Sequence, residues 1–229
     1  HQYLDDNPTG TPVDTHDIQV TVRDQRGGMA MGSAPVTVSN VAPKIDAIFI
    51  TSPVDEDGVA FLEMSFTNPG SLDMHTVEID WGDGTPTETI TLAVGERTLD
   101  ASHRYLNDEP TGTFSDTYQV TLKLVDDDAG MDSAMLAVTV NNVAPSNIQI
   151  APVAMIDENG TAQLQLTFAD PGTLDSHWID IDWGDGTSVE TISLIPGARS
   201  LAATHQYLDD NPTGTPVDTH DIQVTVRDQ

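Results

Sequence analysis

Three acidic stretches hold the residues best suited to chemistry: Asp55-Glu56-Asp57-Gly58, its counterpart Asp157-Glu158-Asn159-Gly160, and Asp126-Asp127-Asp128. Carboxylate and amide oxygens are the ligands calcium prefers, roughly six to eight of them at about 2.4 Å, and two such loops brought together would supply most of that shell. Asp55, Glu56, Asp57, Asp126, Asp127, Asp128, Asp157, Glu158 and Asn159 are therefore the candidate calcium ligands. Without a cation, loops this dense in like charge repel themselves. The competing account is that Asp and Asn favour turns and keep a surface soluble, and the spacing lacks the D-x-[DN]-x-[DN]-G-x5-E pattern of helix-loop-helix calcium sites. The acidic triplet at 126 to 128 aligns with Asp24-Gln25-Arg26 in another copy of the repeat, where a metal should be held more weakly.

Catalytic constellations are not expected. No H-E-x-x-H, paired-His spacing or G-x-S-x-G elbow occurs, and 37 Asp and Glu in 229 residues make chance carboxylate pairs too common to mark an acid and a base. His1, His103 and His205 each precede a Tyr by two and are expected to close corners by hydrogen bonds. The Gly-Asp-Gly segments at 82 to 84 and 184 to 186 are expected turns, with Asp83 and Asp185 bonding their own loops, and Trp81 and Trp183 are expected core. Trp178 alternates onto the face of Asp180 and Asp182, so it is predicted to face solvent and to contact a neighbouring domain or chain, with sugar stacking the lesser option.

What positions these residues is a repeat. Trp81-Gly82-Asp83-Gly84-Thr85 returns as Trp183-Gly184-Asp185-Gly186-Thr187, 102 positions on, and Asn40-Val41-Ala42-Pro43 returns at the same interval as Asn142-Val143-Ala144-Pro145. Cutting after each such Pro leaves the C-terminal part of one unit at 1–43, a complete unit at 44–145, and a unit lacking its last strand at 146–229. Residues 1–25 and 205–229 are identical while 103–127 differs from both, so unlike units alternate with a period of 204 residues. Such identity points to a tandem array longer than this chain.

Within a unit the apolar period is two, as at Val77, Ile79 and Trp81 or Val120, Leu122 and Leu124, with Gly, Pro and Asp at the turns. Seven or so short strands per 102-residue unit predict an all-β fold of tandem immunoglobulin-like antiparallel sandwiches. The joints are short: Asn141-Asn142-Val143-Ala144-Pro145 leaves little slack, and Pro145 restricts itself and Ala144 to extended backbone. Asn141, Asn142, Pro145 and Trp178 are the expected interface residues.

The net charge of −29 disfavours nucleic acid and anionic membranes, and the absence of cysteine removes disulfides and thiolate sites. No stretch approaches the length of a spanning helix. The run Ile79 to Thr85, followed by His103-Arg104-Tyr105, the strand at 117 to 122 and Asp126 to Asp128, resembles the PKD family of extracellular sandwich domains, as does the run from Asp182 to Thr187 with His205 to Tyr207. The Pro-Thr-Gly-Thr insertions at 110 to 113 and 212 to 215 depart from the short family pattern. The resemblance implies PKD-like tandem repeats of a large bacterial extracellular or cell-surface protein, serving as stalk, sheath or filament. Its expected partners are neighbouring repeats and further copies, with calcium as the expected cofactor and an adhesin or glycan-binding module as the alternative.

Overall fold

The computed structural model describes residues 1–6, 9–108, 111–210, 213 and 215–228. Among them every regular element longer than a turn is a β-strand, because the two-residue apolar period gives each segment one buried face. Among the described residues no helix is long and apolar enough to cross a membrane. The chain forms two compact units, one of residues 1–52, 60–103 and 118–138, the other of residues 53–59, 104–117 and 139–229.

In the first unit, β1 (Val13–Arg23) pairs antiparallel with β2 (Met29–Ser39) along its whole length. β3 (Lys44–Ile50) lies beside β5 (Gly58–Thr67), which lies beside β8 (Thr98–Tyr105); β4 (Val54–Asp55) belongs to the second unit. The opposing sheet orders β10 (Met131–Asn141), β9 (Ser115–Asp126), β6 (His75–Asp80) and β7 (Glu88–Leu92). Leu62, Met64 and Phe66 of β5 are buried, as are Val77 and Ile79 of β6 and Val120, Leu122 and Leu124 of β9. First, second and fifth strands in one sheet, with third, sixth and seventh in the other, is the immunoglobulin-like order.

The second unit repeats it. β11 (Ser146–Ile150), β12 (Thr161–Ala169) and β15 (Ser200–Gln206) make one sheet, and β14 (Glu190–Leu194), β13 (His177–Asp182) and β16 (Gln223–Arg227) the other. Leu164, Leu166, Phe168, Ile179, Ile181 and Trp183 form its core. The end of β10 joins β4 by a short parallel bridge, Val140 to Val54 and Asn141 to Asp55.

The Trp-Gly-Asp-Gly turns close each sandwich in one way. Gly82 has φ 80° and its missing Cβ makes room for the Gln119 carbonyl; Gly184, at φ 75°, does so for Asp221. Asp83 Oδ1 accepts the Thr85 amide at 3.0 Å, as Asp185 does from Thr187 at 3.0 Å. His103 stacks on Trp81 at 4.9 Å and pairs with Asp83 at 2.7 Å; His205 repeats this on Trp183 at 4.8 Å and with Asp185 at 2.7 Å. Tyr207 donates to the Trp183 carbonyl instead of to the histidine. These rings and carboxylates are thus absorbed by the corner, and the insertions end in a similar closure, with Thr111 donating to Asp116 at 2.9 and 2.6 Å. Residues 110, 212 and 214 of the predicted insertions lie outside the described residues.

Candidate metal centres

Each compact unit is assembled around one junction between consecutive sequence repeats, the first around Asn40 to Pro43 and the second around Asn142 to Pro145. In the second unit the loop after β12 runs Asp170-Pro171-Gly172-Thr173-Leu174-Asp175. Asp170 shapes it: Oδ1 accepts the Gly172 amide at 2.9 Å and Oδ2 pairs with buried His177 at 2.8 Å. Arg199 lies over the Phe168 ring and donates to the Gly172 carbonyl. Asp175 is thereby turned inward toward Glu56, the two being 3% and 2% exposed. Glu56 also holds the junction, since its amide donates to the Asn141 carbonyl at 2.9 Å and its Oε1 accepts the Val143 amide at 2.8 Å.

Carboxylate oxygens of Glu56, Asp170 and Asp175 lie within 4.8 Å of one another. Glu56 Oε2 and Asp175 Oδ2 are buried, and among the described residues neither has a hydrogen-bond donor. A Cβ on residue 172 would collide with both of those oxygens. Gly172→Ala is therefore expected to push the carboxylates apart and to lower calcium affinity at least tenfold, read by titration calorimetry of the variant.

The first unit gathers a different set. Asn68 takes the place of Asp170, its Oδ1 accepting the Gly70 amide and its Nδ2 meeting His75, both at 2.9 Å. Asp126 and Asp127 are committed to the structure: Asp126 accepts the amides of Asp128 and Gly130 and the Nδ2 of Asn40, while Asp127 accepts the Met74 amide at 3.0 Å. Asp128, 2% exposed, instead meets Asp5 and Asp6, with ligand oxygens again within 4.8 Å. Asp6 Oδ2 and the nearby Asp73 Oδ2 are buried without a hydrogen-bond partner.

Glu56, Asp128 and Glu158 of the predicted ligands thus sit in carboxylate clusters. Glu158 does so with Asp209 and Asp210, but that trio is largely exposed. Asp57, at φ 58°, turns the chain and pairs with Arg104 at 3.1 Å; Asp55 accepts from Asn141 Nδ2 at 3.4 Å. The Asp157 carbonyl accepts the Gly160 amide, and Asn159, at φ 61°, accepts from Gln206. Asn142 donates its amide to the Phe114 carbonyl at 3.1 Å, and Pro145 leads into β11. Trp178 is half-buried where solvent exposure was predicted, since it lies between Ser193 and Arg227 of the adjoining strands and borders a groove of about 400 Å³ with Gly112, Arg227 and Asp228. Asp5, Asp6, Asp73, Asp170 and Asp175 were not anticipated. The signal for Asp73, Asp170 and Asp175 was the recurrence of Asn68-Pro69-Gly70…Asp73…His75 as Asp170-Pro171-Gly172…Asp175…His177, which looks like turn punctuation until the loops are seen folded.

Crowding these carboxyls away from water favours their neutral form. Burial, then the charges of Asp175, Asp170 and Asp108, push Glu56 up to about 8 against the opposing Val143 amide. Burial and Asp175 lift Asp108 to about 6, and Asp175 is itself raised by burial and by Asp170 and Asp228. In the first unit burial and contact with Asp6 raise Asp128 to about 7, while burial and Asp5 raise Asp73 to about 6. Oxygen-only donors, several carrying open lone pairs, suit a hard divalent cation, which would remove the repulsion that protons otherwise relieve.

No family model and no curated protein sequence matches the chain. Among solved structures, the FN1–FN3 domains of chicken CNTN1 align at a TM-score of 0.28 and 10% identity, covering 93% of this chain and 71% of that one. Dimeric latent PorU of Porphyromonas gingivalis aligns at 0.31 and 13%, covering 92% and 22%. Red sea bream transglutaminase aligns at 0.28 and 13%, covering 82% and 29%. The immunoglobulin-like architecture is defined by the chain's own strand order.

Proposed function

We propose that the chain is a structural repeat segment of a long extracellular stalk, sheath or filament, built of PKD-like tandem sandwiches whose junctions are stiffened by calcium. The observation that carries this is the placement of buried carboxylates with open oxygens at both repeat junctions, one of them, Glu56, gripping the backbone on either side of Asn142. A cation there ties two successive repeats and the strap between them into one body. The immunoglobulin-like order, the resemblance of the Trp-Gly-Asp-Gly turns to PKD domains and the high acidity support an extracellular, bacterial setting, where millimolar calcium suits modules of this kind. The absorption of the conspicuous His, Trp and Asp side chains into closing corners favours spacing over catalysis or glycan binding.

Small-angle scattering in calcium and in excess chelator tests this. Calcium should narrow the spread of conformations, and chelator should broaden it without loss of sandwich structure. Superimposable profiles would overturn calcium stiffening.

A further inference from the structure

Resting on that reading, we propose that the two junctions hold cations through non-equivalent ligand sets, so that two chemically distinct sites alternate along the repeat with the 204-residue period. At the second junction the site is Glu56 from the preceding repeat with Asp175 from the following one, positioned by Asp170. At the first it is Asp5 and Asp6 from the preceding repeat with Asp128 from the following one.

The alternation comes from two exchanges between the unlike repeats. Where one type has Asp170, the other has Asn68, which keeps the hydrogen bonds to the loop amide and the histidine but withdraws the charge. Where one type has Asp128, the other has Arg26, which replaces a ligand by a cation. The first exchange leaves the first-junction loop with one carboxylate, Asp73, where the second-junction loop has two, Asp170 and Asp175. The second rules out the Asp128-type set in repeats of the type that follows the second. The two exchanges give the junctions different sets of carboxylates: one has Asp170 where the other has Asn68, and one repeat type has Asp128 where the other has Arg26.

Both retained sets carry more than a cluster of acids. Glu56 Oε2 and Asp175 Oδ2 at one junction, and Asp6 Oδ2 at the other, belong to side chains only 2%, 3% and 3% exposed and have no hydrogen-bond partner. The Glu56 and Asp175 oxygens crowd one point beside Gly172, and Asp6 belongs to the same close trio as Asp128. The Glu158, Asp209 and Asp210 trio is largely exposed, with no such oxygen, and is not assigned a site.

Calcium titration calorimetry on the 229-residue chain, with Glu56→Gln, Asp128→Asn and the double variant, tests the assignment. Two ions should bind per chain. Each single variant should lose one ion while retaining the other within about threefold in affinity, and the double variant should lose both. In chelator both variants should melt no lower than the parent chain, since each removes like charge, which separates lost binding from lost folding. A single ion, or loss of both ions in either single variant, would overturn independent sites. Calcium binding abolished by Glu56→Gln and untouched by Asp128→Asn would reject the alternation and leave calcium stiffening standing. No binding to the parent chain would reject both.

Discussion

Saturating calcium should raise the thermal midpoint of the chain by about 5–10 °C over excess chelator, and Gly172→Ala should remove a large part of that rise. A ligand that binds only the folded state contributes RT ln(1 + [L]/Kd), about 2.7 kcal/mol at a hundredfold excess over Kd, and in a chain of this size each kcal/mol moves the midpoint by about 2–4 °C. The effect should be large here because the unliganded fold is carrying an electrostatic cost. Glu56, Asp170 and Asp175 sit with oxygens within 4.8 Å in a buried pocket, and among the described residues Glu56 Oε2 and Asp175 Oδ2 have no hydrogen-bond partner. Arg199 and His177 are turned to Asp170, to one another and to the loop backbone. Calcium both supplies the missing positive charge and completes the coordination. Equal midpoints in calcium and chelator would reduce these loops to polar turns.

Acidification should stabilise the metal-free chain, the reverse of the usual behaviour of an acidic protein. Glu56, Asp128, Asp73 and Asp108 are pushed up to about 8, 7, 6 and 6, above the roughly 4 of an unfolded carboxylate. Between those values the folded chain binds protons that the unfolded chain has released, so stability falls as pH rises from about 5 to about 8 and returns on acidification. In chelator the midpoint should climb by several degrees from pH 8 to pH 5.5. Saturating calcium should flatten or invert that slope, because the ion displaces the same protons. Asp83 and Asp185 act oppositely. Burial opposes their ionisation, but hydrogen bonds from Thr85 and His103, or from Thr187 and His205, hold both below the usual carboxylate range. Their contribution is present above about pH 4 and is lost only in stronger acid. Thermal melts across this range, with and without calcium, check the sign.

The sandwiches were legible because burial writes a period of two. Val77 and Ile79, or Val120, Leu122 and Leu124, alternate with polar neighbours, and the buried faces are the alternating ones. The Trp-Gly-Asp-Gly turns were legible because positive φ demands Gly and an Asx turn wants Asp. The metal centres were only half legible. Density of charge drew attention to Asp55 through Asp57, yet only Glu56 of that loop points into the junction; Asp57 occupies the left-handed turn position and Asp55 stays outside with Asn141. In this turn Asp55, Glu56 and Asp57 are held in three different ways, so the run does not act as one ligand set. Asp175 is a single acid among Thr, Leu and Ser, made important by Arg199, which braces its loop, and by Glu56, which lies opposite it, both far along the chain. Contacts at such separations leave no local pattern in the residues around them.

Amide hydrogen exchange at Val143, measured by NMR in calcium and in excess chelator, tests most directly whether a cation locks the junction. That amide donates to Glu56, whose other oxygen is the open one, while amides of β12 within the same unit supply an internal reference. Calcium should slow exchange at Val143 at least tenfold relative to its rate in chelator, with β12 changing far less. Equal protection of Val143 in the two conditions, or slowing that is uniform across β12 and the junction, would contradict a calcium-locked joint.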